Sequence, residues 1–142
     1  MAELDAKRII NGTYGMCYLN GEEVSEVTGL KAGLSLNFQD VPIAGKLGGS
    51  KKLSGMTKNG NLNMHKVNSR MAKLISSDIR KGITTEFTIV SKLDAPDSYG
   101  AERVALYGVK FTELSLIDWT AEQNGSISQP FTFEDFEYID MI

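Results

Sequence analysis

One cysteine, one histidine and one tryptophan occur in 142 residues, and each scarcity narrows the possibilities. The single thiol, Cys17, cannot form an intramolecular disulfide, so a reducing, intracellular place of folding is expected. It falls on a predicted strand with no basic neighbour to lower its pKa, which makes it a structural thiol and not a nucleophile. His65 has no second metal ligand near it in sequence and reads as a strand-face residue. No apolar run approaches the roughly 20 residues that a membrane span needs, so no membrane anchor is expected. The segment Met1 to Asn11 alternates charge without an apolar centre, unlike a signal peptide. Basic residues are absent after Lys110.

That last absence belongs to a marked asymmetry. Net charge is only −3. Between Lys46 and Lys81, however, nine cations (Lys46, Lys51, Lys52, Lys58, Lys66, Arg70, Lys73, Arg80 and Lys81) face one anion, Asp78. The tail carries Glu113, Asp118, Glu122, Glu134, Asp135, Glu137 and Asp140. A basic middle and an acidic end suit association with another copy of the chain. Nucleic acid is the competing partner for the basic segment 46–81, as in a small nucleic-acid-binding β module whose affinity would fall steeply with salt.

The length fits one domain over residues 1–142, large enough to bury roughly 70% of its unfolded surface. Asn20-Gly21 between two short runs predicts a hairpin. In "GLSLNFQDV", Leu34, Leu36 and Phe38 alternate with Ser35, Asn37 and Gln39, the pattern of a half-buried strand. In "MTKNGNLNMHKV", Met56, Leu62 and Met64 alternate with Thr57, Asn59, Asn61, Asn63 and His65. Met71, Leu74, Ile75 and Ile79 follow helical spacing, with Asn68 or Ser69 to cap the start and Gly82 to stop the helix. "ITTEFTIVSKL", "RVALYGVKFTELSLIDW" and "SISQPFTFEDFEYIDMI" read as strands, and the last two each contain a phase slip of the kind a β-bulge makes. The fold class is therefore mainly β: an antiparallel β-sandwich or barrel-like domain with one flanking α-helix.

Between the first two alternating strands lies "VPIAGKLGGSKKLSG", expected to be a long loop at about 40–55. It is no P-loop. Leu47 follows Gly45-Lys46 where Ser or Thr is required, and Asp40 stands where the first glycine should be. Loops of this length usually have a function, and Val41, Ile43, Leu47 and Leu53 are too many apolar residues for a loop serving only water. The acidic residues Glu134, Asp135, Glu137 and Asp140 read as a solvated or interfacial face and not as a calcium site. Trp119, Phe131, Phe133 and Phe136 read as core, because their neighbours are acidic and a nucleic-acid stacking platform would interleave them with cations. No convergent polar cluster suggests an enzyme, and neither a cofactor nor a metal is expected.

"NGTYGMCYLNGEEVSEV", "VPIAGKL…KLSGMTKNGNLNMHKVNSRM", "ERVALYGVKFTELSL" and the close "PF.FEDFE.ID" together resemble the tail tube proteins of contractile phage tails, of the type found in Gram-positive phages, defective prophages and phage-tail-like bacteriocins. The one departure is "HKVNSRM", where the family usually has a threonine-serine pair entering the helix. The resemblance implies homohexameric rings stacked head to tail into a hollow tube. Its implied partners are a sheath protein, a ruler (tape measure) protein and baseplate proteins, with non-specific DNA passage. It also implies assembly in the host bacterial cytoplasm as a component of a virion tail or tail-like particle. A basic and an acidic patch on one chain form a heterologous contact, which propagates. The expected subunit interface is Val41, Pro42, Ile43, Gly45, Lys46, Leu47, Lys51, Lys52 and Leu53 with Glu134, Asp135 and Glu137. The expected lumen face is Ser35, Asn37, Gln39, Thr57, Asn59, Asn61 and Asn63, uncharged apart from the neighbouring His65, which suits a conduit that must not grip phosphates.

Overall fold

The computed structural model of the chain describes residues 5–142; the first four residues of the N-terminal segment compared above with a signal peptide lie outside them. Strands β1 (Gly15–Leu19) and β2 (Glu22–Glu23) form the predicted hairpin. Asn20 and Gly21 both have positive φ, 51° and 86°, the geometry that an Asn-Gly turn supplies at least cost. Strands β3 (Val27–Val41) and β4 (Ser50–His65) form a second, far longer hairpin. Helix α1 (Arg70–Arg80) follows, then β5 (Phe87–Leu93), β6 (Glu102–Phe111), β7 (Ser126–Thr132) and β8 (Asp135–Asp140). All the strands join one antiparallel sheet in the order β2-β1-β5-β6-β7-β4-β3, with β8 also on β6, and the sheet does not close into a barrel.

The sheet divides at β6. Residues Arg103 to Tyr107 pair with β8, while Lys110 and Phe111 pair with β7. Gly108 lies between them with φ 64°, and on the other edge Phe87 and Ile89 face Val109 and Leu106, so one extra residue bulges there. The two arms share one core, in which Cys17, Leu19, Leu62, Met64, Phe87, Ile89, Val109, Phe131 and Phe133 are buried together with Met71 and Ile75 of α1. Asn68, not Ser69, caps the helix: its Oδ1 accepts from the Arg70 N–H at 3.0 Å. At the other end Gly82 has φ 73°, its N–H donates to Ile79 O, and the Ile83 N–H donates to Asp78 O, a Schellman stop. No helix among the described residues is long and apolar enough to cross a membrane.

Four expectations need correction. Half of the segment 40–55 is strand, and only Pro42 to Gly49 lies off the ladder. Strand β6 ends at Phe111, so the slip to Leu114 and Leu116 is no bulge but the start of irregular backbone, and the bulge of β6 lies earlier, at Gly108. The slip after Phe133 is no bulge either: it marks the crossing from β7, which pairs with β4, to β8, which pairs with β6. Trp119, in irregular backbone after β6, is 79% exposed, and Phe136, on β8, lies at the surface outside the shared core.

Candidate assembly surface

Cross-strand register fixes which side chains share a face of the β3–β4 hairpin. On one face run the pairs Leu30/Leu62, Ala32/Gly60, Leu34/Lys58, Leu36/Met56, Phe38/Leu53 and Asp40/Lys51. At its base this face is core, with Leu62 fully buried. Farther out it leaves the body of the protein, because β7 pairs with β4 only from Asn59 to His65. Leu34, Leu36, Phe38, Leu53 and Met56 are therefore exposed, Phe38 by 54%. The sequence expectation that this face is buried fails within one chain. A groove of about 450 Å³ runs between its inner part, at Leu30 and Leu34, and Val104, Leu106, Phe136 and Tyr138 on β6 and β8.

The other face carries Ser35/Thr57, Gly33/Asn59 and Lys31/Asn61, then Asn37/Gly55 and Gln39/Lys52 towards the tip. All seven residues expected to line a lumen lie on this one face. Strand β7 widens it: Thr132, Pro130, Ser128 and Ser126 lie opposite Asn59, Asn61, Asn63 and His65. The expectation of an uncharged face needs a second correction, since Lys31 and Lys52 are on it. Lys31 joins because β3 begins at Val27, before the clean alternation. Lys52 joins because Asn37 pairs with Gly55 and Phe38 with Leu53, leaving Ser54 as an extra residue that shifts the phase of β4.

At the tip, Val41, Pro42, Ile43, Gly45, Lys46 and Leu47 are exposed, Leu47 completely. Gly45 has φ 81°, and the Lys46 N–H donates to Ile43 O across the turn. Lys51 pairs with Asp40 at 2.7 Å, and Lys46 and Lys52 have no ion-pair partner among the described residues.

The acidic residues expected at the interface are engaged within the chain. Glu134 accepts from Lys110 Nζ at 2.7 Å, and that bond holds its carboxyl below the usual range and raises the Lys110 ammonium above its own. Glu137 accepts from the Tyr107 hydroxyl at 2.9 Å, which pushes the phenol up. Asp135 Oδ1 accepts from the Phe136 N–H. The basic segment 46–81 is likewise spread over β4 and α1, with Arg70 bound to Glu26 at 2.8 Å.

Backbone edges complete the surface. Among the described residues, β3 pairs only with β4, β8 only with β6, and Ser50 to Lys58 of β4 only with β3. Long unpaired edges are ready to pair with another chain. Against this geometry, the family model described as phage tail tube protein matches residues 2–140. The chain belongs to the phage tail tube protein family. This tail tube chain is 32% identical over 136 residues to the phage-like element PBSX protein XkdM of Bacillus subtilis (strain 168), which covers 94% of this chain and 92% of that one. Two chains from an extracellular contractile injection system share the tail tube fold. One, from its sheath/tube terminator in the extended state, gives a TM-score of 0.73 at 12% identity, covering 92% of this chain and 96% of that one. The other, from its sheath-tube complex, gives 0.71 at 11% identity, covering 92% of each.

Proposed function

We propose that copies of this chain form six-fold rings that stack into the inner tube of a contractile phage tail or tail-like particle. The tube is a conduit for DNA or a shaft for membrane puncture. The observation that carries this reading is the exposed apolar face of the β3–β4 hairpin. Burying one Leu or Phe side chain is worth about 1.5–3 kcal/mol, so five exposed in a row are strongly under-stabilised in a lone subunit and favour covering by a neighbour. In a ring the open edge of β3 meets a neighbouring strand, the apolar face turns onto the neighbouring body, and the tip residues Val41 to Leu47 reach across the junction.

The polar face then turns inward, with Ser35, Asn37, Gln39, Thr57, Asn59, Asn61 and Asn63 lining the lumen. Electrostatic help comes chiefly from Lys46 at the tip, since Lys52 lies on the polar face and Glu134, Asp135 and Glu137 already have partners in the chain. A sheath protein outside, a ruler protein inside and baseplate proteins at one end are the remaining partners, and assembly takes place in the host bacterial cytoplasm. The structural likeness to chains from a sheath-tube complex and a sheath/tube terminator supports the sheath among these partners.

Labelling tests the orientation. Thr57→Cys places a thiol on the polar face, and the native Cys17 does not interfere because it is 3% exposed. In assembled tubes a small maleimide should react at position 57 and a bulky one should not. Equal reaction with both would put the face outside.

A further inference from the structure

The polar face of the hairpin holds a depression of about 420 Å³ around Lys31, Gly33, Ser35, Asn59 and Asn61. Gly33 leaves its floor open, since a side chain there would meet nothing within 4 Å. Lys31 stands directly across from Asn61, and Gly33 from Asn59. The Ser128 hydroxyl donates to Asn61 Oδ1 at 3.1 Å, which fixes the amide with Nδ2 left as a donor without a partner among the described residues. The walls therefore offer an ammonium, two amides and a hydroxyl. No carboxylate shares this face on β3, β4 or β7. The only other lysine or arginine on this face of β3, β4 and β7 is Lys52, eight positions of β3 away from Lys31, or about 26 Å at a strand's rise per residue.

We infer that this depression is a phosphodiester-binding site: each subunit holds a backbone phosphate of nucleic acid inside the tube through Lys31, with Asn59, Asn61 and Ser35 as neutral donors. The inference rests on the inward orientation proposed above. The occupant is a phosphate and not a carboxylate chain, because a pocket with one cation and several neutral donors fits the many acceptor oxygens of a phosphate. One exposed ammonium per subunit holds weakly enough to release, so a passing strand is guided and not trapped.

The test uses assembled tubes and a fluorescent single-stranded 20-mer of DNA, with co-sedimentation measured against NaCl concentration. Retention should fall log-linearly with salt. Lys31→Gln should lower that slope by roughly 0.7 for each phosphate that is no longer neutralised. Lys81→Gln, at the end of α1, should leave it unchanged. An unaltered slope in Lys31→Gln, or equal competition by polyglutamate of the same charge, overturns the assignment. If the bulky maleimide reaches the thiol introduced at position 57, the orientation fails and the site falls with it. If that thiol is shielded and Lys31→Gln is silent, only the site falls. Should Lys31→Gln not assemble, NMR titration of the wild-type free subunit with the same oligonucleotide decides: amide shifts at Lys31, Asn59 and Asn61 support the site, and shifts confined to the hairpin tip refute it.

Discussion

The ammonium of Lys58 lies 2.7 Å from the main-chain oxygen of Glu134. The Phe133 N–H in turn donates to Lys58 O at 3.4 Å, and the Glu134 N–H donates to Tyr107 O at 2.9 Å. The last supported residue of the long hairpin is thus tied to the point where the chain crosses from β7 to β8. Lys58 also interrupts the exposed apolar face, opposite Leu34 of the facing strand. We expect this contact to act as a strut between the root of the hairpin and that crossing.

Lys58→Met keeps the aliphatic stem and removes the donor. Amide hydrogen exchange should quicken along Ser50 to Lys58 and at Glu134 and Asp135, with no change at Leu62 and Met64. The melting temperature should barely move, since single interactions at exposed sites contribute little. Unchanged exchange at the crossing would remove the strut from the account.

The Lys110–Glu134 pair carries a signed pH dependence. Lys110 holds the Glu134 carboxyl below its ordinary 4.5, so the pair's contribution is present above 4.5 and fades as pH falls through the lowered folded value. The Lys110 ammonium is raised above its ordinary 10.5, so its contribution is present below 10.5 and fades as pH rises through the raised value. Lys110→Gln should cost a small, constant amount of stability between those limits. The gap from wild type should close in acid, as thermal melts at several pH values would show. A gap that widens in acid contradicts the pairing.

Gly60 sits on the core face of β4 opposite Ala32, with the Phe131 ring over it. A Cβ there would run into the main-chain oxygen of Lys31 on the facing strand and lie 2.5 Å from Phe131 Cζ. Gly60→Ala should therefore destabilise by about 1–3 kcal/mol, the usual cost of overpacking, read from denaturant midpoints. A neutral result would mean that both the β3 backbone at Lys31 and the Phe131 ring have room to shift.

Burial pushes the Cys17 thiol up to about 11 from an ordinary 9.0. The folded chain should react slowly with iodoacetamide at about pH 8 and quickly once unfolded in urea. Stability should fall as pH rises from 9 towards 11, because only the unfolded chain ionises this thiol readily there. Fast reaction of the folded protein would place Cys17 at the surface.

Local chemistry made part of this fold legible in advance. Asn20-Gly21 demanded a turn, Gly82 a helix stop, and the alternations around Leu36 and Leu62 two strands. The stretch 41–55 hid its strands because glycine and lysine have low strand propensity; cross-strand pairing from Val41 with Ser50 to Asn37 with Gly55 overrides it. Alternation correctly separated the two hairpin faces, yet it could not say that the apolar one outruns the body, which depends on where β7 stops. The intrachain engagement of Glu134 was invisible because Lys110 and Lys58 are 24 and 76 positions away. Trp119 was misplaced because an aromatic residue in a strand-like run reads as core whether or not a layer covers it.

The apolar hairpin face tests the assembly most directly. Leu36→Ser with Phe38→Ser changes two exposed side chains, so the free subunit should keep its fold and melting temperature within about 2 °C, as surface substitutions usually do. Electron microscopy of the purified wild-type protein should show hollow tubes of stacked rings. The double variant, at the same concentration, should remain monomeric. Tubes of normal length and diameter from the double variant would contradict the claim that this face is covered by a neighbouring copy.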